Sequence, residues 1–228
     1  MIFNVEDLIY IILALPVIFS AIAATNLLGK EALHWLNRLF ATVVSGAIAL
    51  LVLSFDPELP YIGEYIYFDA LSMWMLIIIG TLYLAFAWTS KAYLDRDTNK
   101  RYGYLRLFGR LEGRFYALSH IFVWIMFVVV MVNNLGLMWV AIEATTLVSA
   151  LLVAFKFTRT SLEATWKYVM VCTVGICLAL LGTILVYYIQ LNNIGPENPL
   201  DWLYLSQHTG SINPAMAKIG RASCKERV

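Results

Sequence analysis

The sequence predicts an all-α polytopic membrane protein with about six transmembrane helices. Three observations carry this prediction: an apolar excess, six long apolar stretches and a segregation of the loop lysines and arginines to one side. Hydrophobic residues make up 61% of the 228 positions, and charged residues only 14%. Soluble domains are about half apolar and about a quarter charged. A soluble protein of this size could not bury so many apolar side chains, so the composition indicates a membrane protein.

Each apolar stretch supplies roughly 20 residues, enough to cross a hydrocarbon layer about 30 Å thick. Each must be helical, because an open strand would leave backbone N–H and C=O groups unpaired in lipid. The stretches are 8–28, 36–54, 70–89, 115–132, 135–155 and 164–189.

Three local features refine this scheme. Glu6 and Asp7 precede the first stretch, where a cleavable signal would carry basic residues, so we interpret the stretch as a retained span. Pro16 predicts a kink within it. Residues 132–134 predict a tight turn that makes the fourth and fifth spans antiparallel neighbours.

The lysines and arginines of the loops up to residue 217 all lie on one side of this six-span scheme, although that side also carries some acids. One side carries the basic residues Lys30, Arg38, Lys91, Arg96, Lys100, Arg101, Arg106, Arg110, Arg114, Lys156 and Arg159. Up to residue 217 the other side carries only acids, which are Glu6, Asp7, Asp56, Glu58, Glu64, Asp69, Glu197 and Asp201. Basic loops stay in the cytoplasm, so the pattern predicts a multi-pass protein of the cell's inner (cytoplasmic) membrane with its N-terminus outside. We interpret the basic segment 91–114 as a topology signal, with a docking surface for proteins or anionic lipid as the alternative.

The last ten residues, IGRASCKERV, are typical of a translated sequencing adapter. We therefore interpret residues 219–228 as a non-native tail and expect the chain to be a fragment. A genuine tail is the alternative, and it would place Lys218 and Arg221 on the acidic side, against the charge pattern.

Glu143 and Lys167 are ionisable residues inside predicted spans. Glu143 lies eight residues into the fifth span, about 12 Å from its outer end and close to the midplane. A charge at that depth costs roughly 2.5–3.5 kcal/mol, so the default hypothesis is an ion pathway. Small and hydroxyl residues that allow close helix packing follow it, namely Ala144, Thr145, Thr146, Ser149 and Ala150.

A partly desolvated carboxyl group near a movable cation can bind and release a proton, which is what a relay requires. Lys167 lies near the inner end of the sixth span, roughly 10 Å from Glu143 in depth, too far for a direct ion pair. We predict that Glu143 carries protons and that Lys167 tunes it. The alternatives are a neutral, structural Glu143 and a Lys167 that reaches to the inner interface.

His120, about one turn into the fourth span, is a candidate proton-relay residue, and a packed, hydrogen-bonded histidine is the alternative. Cys172 and Cys177 lack metal-ligand spacing and are interpreted as small packing residues. Gly175, Ala179 and Gly182 form a small-residue stripe that predicts a helix-packing face. We predict no metal site, no cofactor and no nucleic-acid partner.

Three segments resemble a known family. Residues 133–147 read NNLGLMWVAIEATTL and resemble the fifth helix of antiporter-like proton-translocating subunits. Residues 161–168 read SLEATWKY, and with Val174 and Gly175 they resemble the sixth helix; residues 68–72 are similar to the entry to the third. The family covers complex I (NADH:quinone oxidoreductase), multisubunit cation/proton antiporters and group-4 nickel–iron hydrogenases. These segments are most similar to component F of hydrogenase-4-type complexes.

The resemblance implies a fold of about fourteen helices with two inverted repeats. Residues 1–114 would hold the three leading helices and the basic loop, and residues 115–218 an incomplete first repeat. It further implies that the carboxylate matching Glu143 works with a lysine of a seventh helix, which this sequence lacks, and that Lys167 matches another lysine of the same polar axis. The implied partners are other membrane subunits, peripheral redox subunits and the lipid bilayer.

The function expected from residues and resemblance together is proton or sodium translocation in a redox-driven complex of hydrogenase-4 or NADH:quinone oxidoreductase type. The alternatives are a subunit of a multisubunit cation/proton antiporter and a structural membrane anchor without an ion path. The sequence shows no nucleotide loop, cysteine cluster or haem motif. An oxidoreductase label would therefore describe the complex and not this chain.

Overall fold

The computed structural model describes residues 5–25, 29–56, 59–63, 65–101, 108–155, 158–193 and 200–207. These form six long helices, one short helix and one small hairpin. The helices are α1 (Val5–Thr25), α2 (Lys30–Ser54), α3 (Ala70–Arg101), α4 (Phe108–Met131), α5 (Leu135–Ala154), α6 (Arg159–Asn193) and α7 (Trp202–Gln207). The antiparallel hairpin consists of β1 (Tyr61–Ile62) and β2 (Tyr67–Phe68), which lie between α2 and α3.

The six predicted spans are confirmed, because α1 to α6 are each long and apolar enough to cross a membrane. Several predicted ends were wrong. The segment 91–114 was expected to be a loop, yet α3 continues to Arg101 and α4 begins at Phe108. The apolar parts of these two helices are Ala70–Leu94 and Glu112–Met131. Hydrophobicity identifies only the parts of a helix that lie in the bilayer. A helix can continue into water beyond them, because its backbone hydrogen bonds are internal.

Two further helices, α2 and α6, are also longer than the predicted spans. The second helix begins at Lys30, so Arg38 lies within α2 and not at a loop edge. The sixth helix extends from Arg159 to Asn193. Pro16 lies inside α1, which continues to Thr25.

The first four helices pack around a shared apolar core. α1 packs against α2 and α4, and α2 packs against α3. Buried side chains from all four helices meet there, for example Ile12, Val44, Leu76 and Phe127. α5 packs on α4, and α6 packs chiefly on α5, so α6 lies at the edge of the described structure.

The predicted small-residue stripe on α6 is only partly a packing face. Gly182 is buried. A side chain placed at Gly175 would meet no atom within 4 Å. By contrast, a Cβ at Gly80 on α3 would lie 2.7 Å from Ile48 Cδ1 on α2, so glycine permits a close approach at that crossing instead.

The turn between α4 and α5 is tight, as predicted, and backbone hydrogen bonds hold it on two sides. The Asn133 amide donates to the Tyr65 carbonyl at 3.0 Å, which ties the turn to the hairpin segment. The Trp202 amide donates to the Asn133 carbonyl at 2.7 Å, and the Leu135 amide donates to the Leu200 carbonyl at 2.9 Å. The start of α5 is thereby fixed relative to both neighbouring segments.

Candidate functional site in the membrane interior

The depth of Glu143 follows from where α5 begins. Asn134 caps the helix, since its side-chain oxygen accepts hydrogen bonds from the Gly136 amide at 2.9 Å and the Leu137 amide at 3.2 Å. A capping asparagine satisfies amides that have no partner within the first turn. Glu143 is eight residues beyond the first helical residue, Leu135, and therefore about 12 Å along the axis.

Glu143 is half-buried, and one of its carboxyl oxygens is unsatisfied. Oε2 is shielded from solvent and makes no hydrogen bond with any residue that the structure describes. The hydroxyl groups that follow it do not bind the carboxyl group, because they donate to their own helix: Thr145 to the Ile142 carbonyl at 2.7 Å, and Thr146 to the Glu143 carbonyl at 2.7 Å. A buried carboxyl oxygen without a partner is costly, so this group requires a proton, a water molecule or a cation.

Lys167 does not pair with Glu143. Its Nζ contacts Glu163 Oε1 at 2.6 Å, one turn earlier on α6, and the two side chains are 75% and 66% exposed. Trp139 Nε1 donates to the Ile176 carbonyl at 3.1 Å, and the hydroxyls of Ser149 and Tyr168 lie 2.8 Å apart. This register puts Lys167 level with Ser149, about 9 Å in depth from Glu143. The predicted offset in depth thus agrees with the register of the two helices.

His120 on α4 is fully buried, and both of its ring nitrogens have partners from neighbouring helices. Nε2 lies 2.9 Å from Asn37 Oδ1 on α2, and Nδ1 lies 2.6 Å from the Tyr83 hydroxyl on α3. The Phe19 ring of α1 packs against the imidazole, with ring centres 4.2 Å apart. His120 on α4 therefore contacts side chains from each of the other three leading helices.

The surrounding bonds determine how neutral His120 carries its proton. Asn37 Nδ2 donates to the Ala87 carbonyl at 3.0 Å, and a carbonyl can only accept. The Asn37 oxygen must then face His120 and accept from Nε2–H. Nδ1 is left as the acceptor, and the Tyr83 hydroxyl donates to it. Protonation of His120 at Nδ1 would reverse this last bond, and the Tyr83 proton would need another acceptor.

Further polar groups extend this set toward the basic end of the helices. Asn37 Nδ2 also donates to Ser90 Oγ at 3.2 Å, and Ser90 Oγ lies 3.4 Å from the Tyr116 hydroxyl. The Tyr116 hydroxyl in turn lies 2.7 Å from His34 Nδ1. We call the set of six residues the polar cluster; it comprises His34, Asn37, Tyr83, Ser90, Tyr116 and His120.

Sequence reasoning found His120 but missed the other five members of the polar cluster. The missed signal was spacing, because His34 and Asn37 are three apart on α2, Tyr83 and Ser90 seven apart on α3, and Tyr116 and His120 four apart on α4. Such intervals place side chains on one helix face. His34 was also overlooked because the predicted second span began two residues after it.

Glu143 and His120 lie on adjacent helices at different depths. The turn at 132–134 makes α4 and α5 antiparallel, so Glu143 is level with about residue 124 and His120 lies roughly one turn deeper. A groove of about 390 Å³ lies beside α3 and α4, and Leu152 of α5 also lines it. Tyr83 and Ser119 supply the hydroxyl groups of its otherwise apolar lining.

Within the described ranges, no three His, Cys, Asp or Glu side chains group closely enough to hold a metal ion. Cys172 and Cys177 are free thiols, half-buried and exposed respectively. Cys224 and the predicted tail at 219–228 lie outside the described residues.

Comparison with known proteins identifies the family. Residues 132–198 match the family model described as NADH:quinone oxidoreductase/Mrp antiporter, TM. The Hydrogenase-4 component F homolog of Methylacidiphilum infernorum (isolate V4) is 30% identical over 191 residues, which are 82% of this chain and 38% of that protein. These matches support an antiporter-like family of membrane subunits for this chain. This antiporter-like subunit therefore spans well under half the length of the curated relative.

A solved structure has the same fold. A chain of the membrane-bound sulfane sulfur reductase (MBS), described as an archaeal respiratory membrane complex, superposes with a TM-score of 0.69. The match covers 94% of this antiporter-like subunit and 42% of that chain, at 17% identity, so it concerns the fold alone. The family match covers α5 and α6, with Glu143 and Lys167, whereas the polar cluster lies before the matched residues.

Proposed function

We propose that this antiporter-like subunit translocates protons in a redox-driven membrane complex of hydrogenase-4 or NADH:quinone oxidoreductase type. The observation that carries the proposal is Glu143 Oε2, a buried carboxyl oxygen without a hydrogen-bond partner among the described residues. It lies near the middle of a membrane helix and inside the residues that match the family. An acid kept at that depth at a cost of roughly 2.5–3.5 kcal/mol implies a use for it.

In this proposal Glu143 is the reversible proton carrier. Its unsatisfied oxygen accepts a proton, and the proton leaves when a cation approaches and stabilises the carboxylate. Lys167 acts on Glu143 through space and through intervening water, since the two lie about 9 Å apart in depth. Breaking its exposed ion pair with Glu163 costs little, because exposed pairs contribute about 0–1 kcal/mol. Lys167 is therefore free to change partner during turnover.

His120 is proposed as a second proton-relay residue. Its Nδ1 is the acceptor in the neutral state, and Tyr83 connects it to the groove beside α3 and α4. A histidine with one nitrogen held by an amide oxygen and the other by a hydroxyl group can take a proton at a defined atom. Through Tyr83 and Asn37, which bind His120, residues 1–114 would then contribute to transport as well as to packing.

The arrangement of the chain in its membrane is also part of the proposal. The acidic segments lie at one end of the six helices and the basic segments at the other, which supports an N-terminus outside the cytoplasm. The proposed partners are further membrane subunits and peripheral redox subunits. Residues 115–218 are proposed as part of the first antiporter-like repeat.

A subunit of a multisubunit cation/proton antiporter is the second candidate. The description of the matching family names Mrp antiporter beside NADH:quinone oxidoreductase. In that case sodium or another cation would exchange for protons, and no redox subunit would be needed. Proton uptake driven by an imposed sodium gradient, in the absence of an electron donor, separates this candidate from the first.

The test is Glu143→Gln in the chain assembled with its partner subunits in inverted membrane vesicles. Glutamine keeps the shape of the side chain but binds no proton, so proton uptake during electron transfer should fall to background while the subunits still assemble. Glu31→Gln is the matched control, because Glu31 is an exposed acid on α2 and pairs with Lys91. Unchanged uptake in Glu143→Gln vesicles would remove Glu143 from the path.

A further inference from the structure

Arg38 on α2 is a cation whose guanidinium group is only partly satisfied by protein groups in the described ranges. It lies eight residues after Lys30 and two residues inside the predicted span 36–54, and therefore near the membrane interface. The side chain is half-buried, and its Nε is shielded from solvent and forms no hydrogen bond with any residue the structure describes. Glu31 on the same helix acts on Arg38 electrostatically but pairs with Lys91, so the shielded Nε–H is left without an acceptor, which is unfavourable. An anion from outside the described chain would remove that cost.

Two tryptophans hold the guanidinium group of Arg38. Its Cζ lies 5.8 Å from the ring centre of Trp35, one turn earlier on α2, and 5.4 Å from that of Trp88 on α3. Both distances fall within the range of a cation–π contact. The side chains are 67% and 58% exposed, so the group lies on the outer surface of the α2–α3 pair. Tryptophan at such a position is typical of the membrane interface.

The neighbouring basic residues differ from Arg38 because they have acidic partners. Lys91 Nζ contacts Glu31 at 2.9 Å, and Lys30 Nζ contacts Glu112 at 3.2 Å. Both lysines lie on the same two helices as Arg38 and its tryptophans, toward the basic end. Among the side chains that the structure describes on α2 and α3, Arg38 is the cation without an acidic group at ion-pair distance.

We propose that Arg38, Trp35 and Trp88 bind the phosphate group of an anionic phospholipid. The phosphodiester is the anion that the bilayer itself presents at the interface, and a guanidinium group binds phosphate through two parallel N–H donors. Basic pockets between membrane helices bind anionic headgroups in this way. The two rings pack along the lipid and fix the guanidinium plane. This site is separate from Glu143 and does not depend on the proposed ion path.

The test uses the purified subunit with the proteins that accompany it, in nanodiscs of phosphatidylethanolamine with or without phosphatidylglycerol. Retention of each lipid is measured by native mass spectrometry. The unaltered chain should retain phosphatidylglycerol, and Arg38→Gln should bind it about tenfold more weakly, the effect expected from losing a charge-assisted pair. Phosphatidylethanolamine carries the same phosphodiester, but its ammonium group neutralises the headgroup, so its retention should be weaker at the start and should change less.

Three further variants make the result specific. Arg159→Gln removes an exposed arginine from the start of α6, at the same end of the molecule, and should bind phosphatidylglycerol normally. Arg38→Lys keeps the charge but not the two-pronged geometry and should bind at an intermediate level. Trp88→Leu should weaken binding while Arg38 is intact, which provides a result if Arg38→Gln does not assemble.

Three outcomes would overturn the proposal. Normal retention in both Arg38→Gln and Trp88→Leu would show that the site does not bind lipid. An equal loss in Arg159→Gln would show general charge attraction only. A photocrosslinker at position 88 that captures a protein subunit instead of phosphatidylglycerol would assign this surface to protein.

Discussion

Tyr83 is the residue that controls the acceptor nitrogen of His120. Its hydroxyl lies 2.6 Å from Nδ1, and the fixed orientation of Asn37 leaves that nitrogen no proton of its own in the neutral ring. Removing the hydroxyl leaves a buried acceptor without a donor. The loss of one partner of a buried hydrogen bond costs about 1–3 kcal/mol, more than the bond itself contributes.

Tyr83→Phe should therefore lower the free energy of unfolding by about 1–3 kcal/mol. Denaturant unfolding in detergent, followed by tryptophan fluorescence, measures the change. Tyr187→Phe is the matched control, since it removes the same hydroxyl from an exposed position on α6 and should cost less than about 0.5 kcal/mol. Equal effects of the two substitutions would contradict the hydrogen-bond assignment around His120.

For single residues, the sequence predicted which ionisable side chains lie in the membrane but did not predict which groups they contact. A charged or titratable residue in an apolar stretch is visible because its insertion cost is large. The partners of His120 are a tyrosine and an asparagine from two other helices, and only the packing of those helices brings them within 3 Å. The contact of Lys167 with Glu163 is different, because the two residues are four apart on α6 and their spacing alone indicates the pair.

Among the helices, the crossing of α2 and α3 shows how a single glycine sets the distance between two elements. A Cβ at Gly80 would lie 2.7 Å from Ile48 Cδ1, closer than real carbon contacts allow, and Ile48 is itself buried in the core. Ser45 Oγ, one turn earlier than Ile48, donates to the Gly80 carbonyl at 3.3 Å. The close approach is therefore supported by a polar contact as well as by apolar packing.

Gly80→Ala should be less stable than Gly175→Ala by about 1–3 kcal/mol, the usual cost of overpacking a core. Both substitutions gain the same helix propensity of about 1 kcal/mol, so the difference isolates the clash. Combining Gly80→Ala with Ile48→Val, which removes Cδ1, should recover most of the loss. Thermal unfolding of Gly80→Ala, Ile48→Val, their combination and Gly175→Ala measures the coupling, and an additive double variant would contradict the crossing geometry.

The elements themselves were largely predictable, and their ends were not. The bilayer fixes the length of apolar sequence that must be helical, so six spans follow from hydrophobicity and charge alone. The continuation of α3 to Arg101 and the start of α2 at Lys30 occur among charged residues, where hydrophobicity gives no signal. At Gly175 the small-residue stripe of α6 has no neighbour among the described residues, and its role in packing stays a prediction because spacing alone does not say which helix approaches.

Across the whole molecule, some buried polar groups form hydrogen bonds with neighbouring helices and others lack a partner among the described residues. In the polar cluster, the buried Asn37 and His120 have hydrogen-bond partners from neighbouring helices. Toward the basic end, Arg38 Nε and Glu112 Oε2 have none among the described residues, although Glu112 pairs with Lys30 through its other oxygen. In α5 the half-buried Glu143 has a carboxyl oxygen without one among the described residues. A satisfied cluster releases or accepts a proton only when its hydrogen bonds rearrange, whereas an unsatisfied acid near the midplane can change its protonation without breaking a protein hydrogen bond. This contrast is the physical basis for placing the moving proton at Glu143.

Infrared difference spectroscopy during turnover tests that placement most directly, in the assembled complex with its electron donor supplied. The account predicts a carboxyl C=O band that appears and disappears with electron transfer, shifts in deuterium oxide and is absent in Glu143→Gln. Glu31→Gln should leave the band unchanged. A Glu143 carboxyl band that stays constant through turnover would contradict the account, because a permanently protonated acid carries no proton across the membrane.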